Sequence, residues 1–244
     1  MIRGIVAALL LLICASGPVI ADDVIPSLPA ASYPKLVSHG ASVEAFVPAG
    51  WRLETKITGD LNGDGRPDAV LVLRDNDPKN VIDRKMQSTP GFDTNPRILA
   101  VAFADGADGY DLVLENHTLI ARTTNSFDQD PLDPNGVQEG GIEIKNGTLQ
   151  VTLGYFGGNM GHITYTFRFQ HNRFEMIGYD RVDVERARGV MTDVSVNYST
   201  RQMEHKVGHI SDDKDKVTRT KLPAKPLLTL QQVGDGLVFE PSTK

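Results

Sequence analysis

The chain has 244 residues, a formal net charge of −6 and a single cysteine, Cys14. A mildly acidic chain without a clustered Lys/Arg face has nothing with which to neutralise a phosphate backbone, so nucleic acid is excluded as the expected partner. One thiol, placed in the N-terminal leader, likewise excludes disulfides, cysteine–zinc sites and cysteine catalysis from a mature chain.

In chain order, Arg3 precedes an apolar stretch from Ile5 to Ala15, and small residues then lead to Asp22. This pattern predicts a signal peptide over 1–21, cleaved after Ala21, and a periplasmic or secreted protein. The apolar run falls short of the roughly 20 residues that span a bilayer. Pro18 interrupts its continuation, and no transmembrane segment is expected in the mature chain. Residues 22–40 read as an extended Pro/Ala/Ser-rich arm, and residues 41–244 as a single β-rich domain.

Helical signals are sparse. Ala41 to Val47 predicts one short helix, stopped by Pro48-Ala49-Gly50. Strands are expected at Leu53–Thr58, Ala69–Arg74, Arg97–Ala104, Tyr110–Glu115, Gly141–Lys145, Leu149–Phe156, His162–Gln170, Arg173–Tyr179, Asp193–Tyr198 and Lys216–Thr220. Asp108-Gly109, Asn146-Gly147 and His171-Asn172 supply hairpin turns between them. Tyr165, Phe167 and Phe169 alternate with Thr164, Thr166 and Arg168, which gives one buried and one wet face. No crossover of helical period joins these runs, so the expected fold is mainly β with little helix: an antiparallel meander forming a curled sheet or sandwich, with the loop from Asp75 to Pro96 lying outside.

The strongest chemical signal is Asp60-Leu61-Asn62-Gly63-Asp64-Gly65-Arg66-Pro67-Asp68. Asp60, Asn62, Asp64 and Asp68 put side-chain oxygens at positions 1, 3, 5 and 9, and the Arg66 carbonyl is available at position 7, as a Ca2+ ion with six to eight oxygen ligands requires. Gly63 and Gly65 permit the tight turn. Position 12 is Leu71 rather than the bidentate Glu of an EF-hand, and the flanks are strand-like. The alternative is an Asp-Gly turn with solvated acids.

This motif, followed by an apolar strand, resembles the calcium loop of FG-GAP and VCBS-type repeats. The match spans about fifteen residues and occurs once, so the resemblance implies a calcium loop and not a multi-bladed propeller. More loosely, the order Gly-Trp, Gly-Asp-Leu-Asn-Gly-Asp-Gly, a Gly-rich meander and Phe-Arg-Phe…Ile-Gly is similar to bacterial periplasmic proteins carrying one such loop, a family with no activity to transfer.

Three further segments carry chemistry-bearing residues. Phe127 to Gly136 is a second acidic loop, able to lend a carboxylate to calcium, to form a second ion site at 128–135 or to be solvated, with solvation the default for Asp-Pro turns. His205 and His209 have helical zinc spacing, but in a strand they stand about 13 Å apart and cannot share an ion. Gly154 to His162 places bare glycine backbone beside an aromatic ring, and a ligand surface there would comprise Tyr155, Asn159 and His162. The expected function is therefore a non-enzymatic, exported module with structural calcium, contacting protein or glycan. A cell-envelope hydrolase using Asp or Glu with His162, and a periplasmic inhibitor or immunity protein, are the alternatives.

Overall fold

The structure, a computed structural model, describes residues 28–82, 91–106, 109–124 and 129–241. The expected signal peptide, Cys14, Asp108, Phe127 and Asp128 lie outside the described residues. Strands β1 (His39–Gly40), β2 (Trp51–Gly59), β3 (Asp68–Asp75), β6 (Arg97–Ala104) and β7 (Tyr110–Asn116) form a five-stranded sheet in the order β1-β7-β6-β3-β2. Between β3 and β6 the chain makes a small two-stranded ribbon, β4 (Val81–Ile82) with β5 (Phe92–Asp93).

The second sheet is a seven-stranded meander of chain neighbours: β8 (Gly141–Lys145), β9 (Thr148–Phe156), β10 (Asn159–Gln170), β11 (Arg173–Glu185), β12 (Val190–Asn197), β13 (Gln202–His209) and β14 (Asp212–Lys221). Every pairing is antiparallel, and neither sheet closes into a barrel. Asn146 and Gly147, and His171 and Asn172, have positive φ at both turn positions, the geometry of a tight hairpin that matches strand twist.

The sheets pack face to face. Val70, Val72, Leu99 and Val101 of the small sheet meet Leu149, Val151, Leu153, Ile163, Tyr165 and Phe167 of the large one in a single buried cluster. The opposite face of β3 and β6, carrying Leu71, Leu73, Ile98 and Ala100, is covered by Leu36, Val43 and Phe46. Both faces of β3 and β6 are thus dry, which is why these strands read as continuous apolar runs instead of alternating ones.

The structure departs from the sequence reading in five places. The expected helix over 41–47 is a single 3-10 turn, Val43–Phe46, too short to be more before the Pro48 stop. β11 continues six residues past Tyr179 because β10 and β12 pair with it on both sides, although residues 180–185 carry little apolar pattern. β13, charged and poor in apolar residues, is absent from the expected strands beyond the conditional reading of His205–His209, and is held by β12 and β14. The segment 75–96 does not simply lie outside: Asn80, Thr94 and Asn95 are buried, with Asn80 Nδ2 donating to Asn95 Oδ1 at 2.9 Å.

The fifth departure is the C-terminal segment, which packs against the large sheet and into the core. It carries helix α1 (Leu230–Val233), and Leu222, Leu230 and Val233 join the inter-sheet core. Met176 N donates to Leu228 O at 2.8 Å, and Tyr165 Oη donates to Gly236 O at 2.6 Å. The signal was present in Thr229-x-x-Gln232 followed by Gly234, a capping-box pattern, and Gln232 Oε1 accepts the Thr229 amide at 2.9 Å.

Candidate functional site

The Asp60–Asp68 loop joins β2 to β3 at one end of the small sheet. Gly63 and Gly65 both have φ +83°, the left-handed region that strongly favours glycine. The acids fold inward onto backbone amides: Gly63 N donates to Asp60 Oδ1 at 2.7 Å, Gly65 N to Asp60 Oδ2 at 2.9 Å, and Asp64 N to Asn62 Oδ1 at 2.9 Å. Arg66 donates twice to Asp64, from its amide to Oδ1 at 2.8 Å and from its guanidinium to Oδ2 at 2.6 Å.

Asp68 closes the loop and is fully buried. Its Oδ2 accepts from Leu61 N at 2.9 Å and its Oδ1 from Ala104 N at 3.1 Å, tying the loop to β6. Burial pushes the Asp68 carboxyl above its ordinary range, the amides of Leu61, Ala104 and Asn62 oppose this, and the charge of Asp64 adds to the rise. The donor set is all oxygen, the chemistry a hard cation takes, and a carboxylate oxygen bound to one amide keeps a second lone pair, but the carboxylates of Asp60, Asp64 and Asp68 do not come within 4.8 Å of one another as a trio. The Arg66 guanidinium occupies Asp64, and Arg66→Ala is expected to tighten calcium binding a few-fold in a calorimetric titration by removing the competing cation.

The candidate ligand surface is divided by the pleat. Gly161, Ile163, Tyr165 and Phe167 face the core side of β10, whereas His162 alternates with them and shares the other face with Thr164, whose hydroxyl meets that of Thr152 at 3.0 Å. Tyr155 and Asn159 come together on Asp183: Tyr155 Oη donates to Asp183 Oδ1 at 2.6 Å and Asn159 Nδ2 to Asp183 Oδ2 at 3.0 Å. Gly161 makes this possible, since a Cβ there would stand 2.7 Å from Tyr155 Oη. Tyr155 and Asn159 line a cleft of about 410 Å³ with Arg122, Thr123, Arg181 and Asp183. Burial, then the bond to Asp183, pushes the Tyr155 hydroxyl well above its ordinary pKa, so it remains a donor at neutral pH. Thr123 Oγ1 is buried with no hydrogen-bond partner among the described residues.

Of the acids in the second acidic loop, Asp130 and Asp133 are described, and they take different roles. Asp130 is not solvated; its Oδ2 accepts from Arg97 Nη2 at 2.7 Å and from Arg74 Nη1 at 3.2 Å. Asp133 is a turn residue that accepts the Asn135 amide at 2.9 Å. His205 and His209 both lie in strand β13, and His209 is engaged by Ser211 Oγ and Arg188 O at 2.8 and 2.7 Å.

Among the described residues, one group brings three His/Cys/Asp/Glu ligand atoms within 4.8 Å of one another: His39, Asp105 and Asp111. His39 is far in sequence from the two acids, and no motif announces the group. Comparison with known proteins found no matching family model, curated protein or solved structure.

Proposed function

We propose that this protein is an exported, non-enzymatic binding module in which the Asp60–Asp68 loop holds a structural calcium ion and the Tyr155–Asp183 cleft contacts a polar partner. The observation that carries the calcium reading is the loop itself. Five oxygen donors at calcium spacing sit on a turn whose two left-handed positions are both glycine. The burial of Asp68 strengthens it, because an ionised carboxylate removed from water is costly unless donors or a cation face it.

Calcium ties the β2–β3 turn to β6 through Asp68 in this reading and performs no chemistry. Present at about 100 times its Kd and bound only to the native state, it would contribute roughly 2.7 kcal/mol, or about 5–10 °C in melting temperature for a chain of this size. Scanning melts with excess calcium and with excess chelator test this; coincident midpoints would count against a stabilising ion.

For the cleft, an aromatic wall, the Asn159 amide, the Arg181–Asp183 pair and the unpartnered Thr123 hydroxyl match a hydroxyl-rich ligand such as a glycan, with a polar protein loop as the other occupant of the same chemistry. His162 stands on the opposite face from this constellation. Asn159→Ala should abolish retention of the protein on cell-envelope polysaccharide while leaving the melting temperature within about 2 °C, as surface substitutions do.

A further inference from the structure

Three side chains from separate elements meet at the outer edge of the five-stranded sheet. His39 of β1 is the cross-strand partner of Asp111 on β7, and Asp105 follows the end of β6. His39 Nδ1 lies 2.9 Å from Asp111 Oδ1 and 3.7 Å from Asp105 Oδ2. Two ligands on a tetrahedral ion with bonds of roughly 2.0–2.2 Å stand about 3.3–3.6 Å apart, a value the two observed separations bracket.

The turn is shaped to allow this approach. A Cβ on Gly109 would lie 2.8 Å from His39 Cε1 and 2.9 Å from Asp105 Oδ2, so any larger residue would push the imidazole and carboxylate apart. The Gly109 amide donates to Asp105 Oδ1 at 3.1 Å, which fixes that carboxyl with its other oxygen toward His39. His39 and Asp111 are more than half exposed, leaving room for water to complete a coordination shell.

We propose that His39, Asp105 and Asp111 form a second metal site, selective for a first-row divalent transition-metal ion such as zinc, which staples the N-terminal arm to the sheet edge. An imidazole nitrogen beside two carboxylates suits zinc and its neighbours, whereas calcium takes oxygen ligands, so the site and the Asp60–Asp68 loop select different ions. β1 is two residues long and pairs with β7 at His39–Asp111 and Gly40–Tyr110, with Leu112 N donating to Ser38 O at 2.9 Å beside it, so an ion there would add to an existing attachment.

The test is calorimetric titration of the tag-free protein with zinc chloride in the presence of saturating calcium. One saturable equivalent is expected. His39→Ala and Asp111→Asn should each weaken it by more than the roughly 10–100-fold that loss of an outer-shell partner costs, and Asp64→Asn, in the other loop, should leave it unchanged. Asp105 is left intact because its neighbour Ala104 holds Asp68. Should a variant fail to fold, the His39 imidazole resonance of the wild type must still shift on zinc addition and not on calcium addition. Absence of saturable zinc binding, zinc binding unaltered in both variants, or an unmoved His39 resonance would overturn the site and leave an ordinary histidine–aspartate ion pair.

Discussion

Replacing Glu54 by alanine should destabilise the protein by about 3–5 kcal/mol, the cost of leaving buried charge without its partner. Arg74 and Arg97 are directly opposed in the β3–β6 ladder and both are buried, an arrangement that repels unless acids intervene. Glu54 supplies the intervention, aimed inward where the β2–β3 register shifts between Leu53 and Thr55. Its Oε1 accepts from Arg74 Nη1 at 2.8 Å and Arg97 Nη2 at 2.9 Å, and its Oε2 from Arg97 Nε at 2.5 Å. Asp130 bridges the same two guanidinium groups, and Asp93 stands 3.2 Å from Arg74 Nε, near enough to pair charge but misaligned for a hydrogen bond. The urea midpoint measures the loss. Glu54→Gln, which keeps the volume but not the charge, should fall between wild type and Glu54→Ala.

The same cluster sets the acid limit of the fold. Burial pushes the Glu54 carboxyl up, but hydrogen bonding and charge from Arg97 and then Arg74 outweigh it and hold it below the ordinary range. Asp130 and Asp93 behave alike, with Arg97 dominant at Asp130 and the Asn95 amide, then Arg74, at Asp93. A carboxyl whose folded pKa is depressed contributes stability that is complete above its unfolded pKa and is lost as pH falls through the folded value. Stability should therefore fall below the usual carboxylate range, and less steeply in Glu54→Ala, which has lost one such group. Parallel pH profiles of the two proteins would contradict this.

Truncating Tyr165 to alanine should cost a comparable amount, about 3–5 kcal/mol, because a buried aromatic ring leaves a cavity that its neighbours only partly fill. Tyr165 is fully buried, packs edge-on to Tyr179 at 5.5 Å between ring centroids and meets Phe239 at 6.0 Å. Its hydroxyl also holds the C-terminal segment through Gly236 O. Tyr165→Phe isolates that second role: it removes the donor, keeps the ring and should cost about 1–3 kcal/mol, the penalty for an orphaned buried acceptor. Amide exchange in the 230–240 segment should rise in Tyr165→Phe without a matching rise in β3 and β6. Uniform change across all elements would mean that the tail is not separately anchored by this bond.

Much of the fold was legible because its signals are local. Period-2 alternation in Thr164–Phe169, the dry runs of β3 and β6, and Asn-Gly or His-Asn at the turns each act within a few residues. What escaped depends on distant partners. β13 is a strand because β12 and β14 flank it, and Asp130 turns inward to Arg74 and Arg97, far off in sequence, which require a counter-charge. At the candidate sites, spacing announced the Asp60–Asp68 loop, whereas Tyr155 and Asn159 found Asp183 instead of His162. The pleat decided that outcome, since one residue of register turns a side chain to the other face.

Titrating calcium chloride into the purified, chelator-treated protein at neutral pH tests the central claim most directly. A stoichiometric heat of association that disappears in Asp60→Asn/Asp64→Asn, and grows tighter in Arg66→Ala, is the predicted result. No heat with the wild type, or equal heat with the double variant, would contradict it.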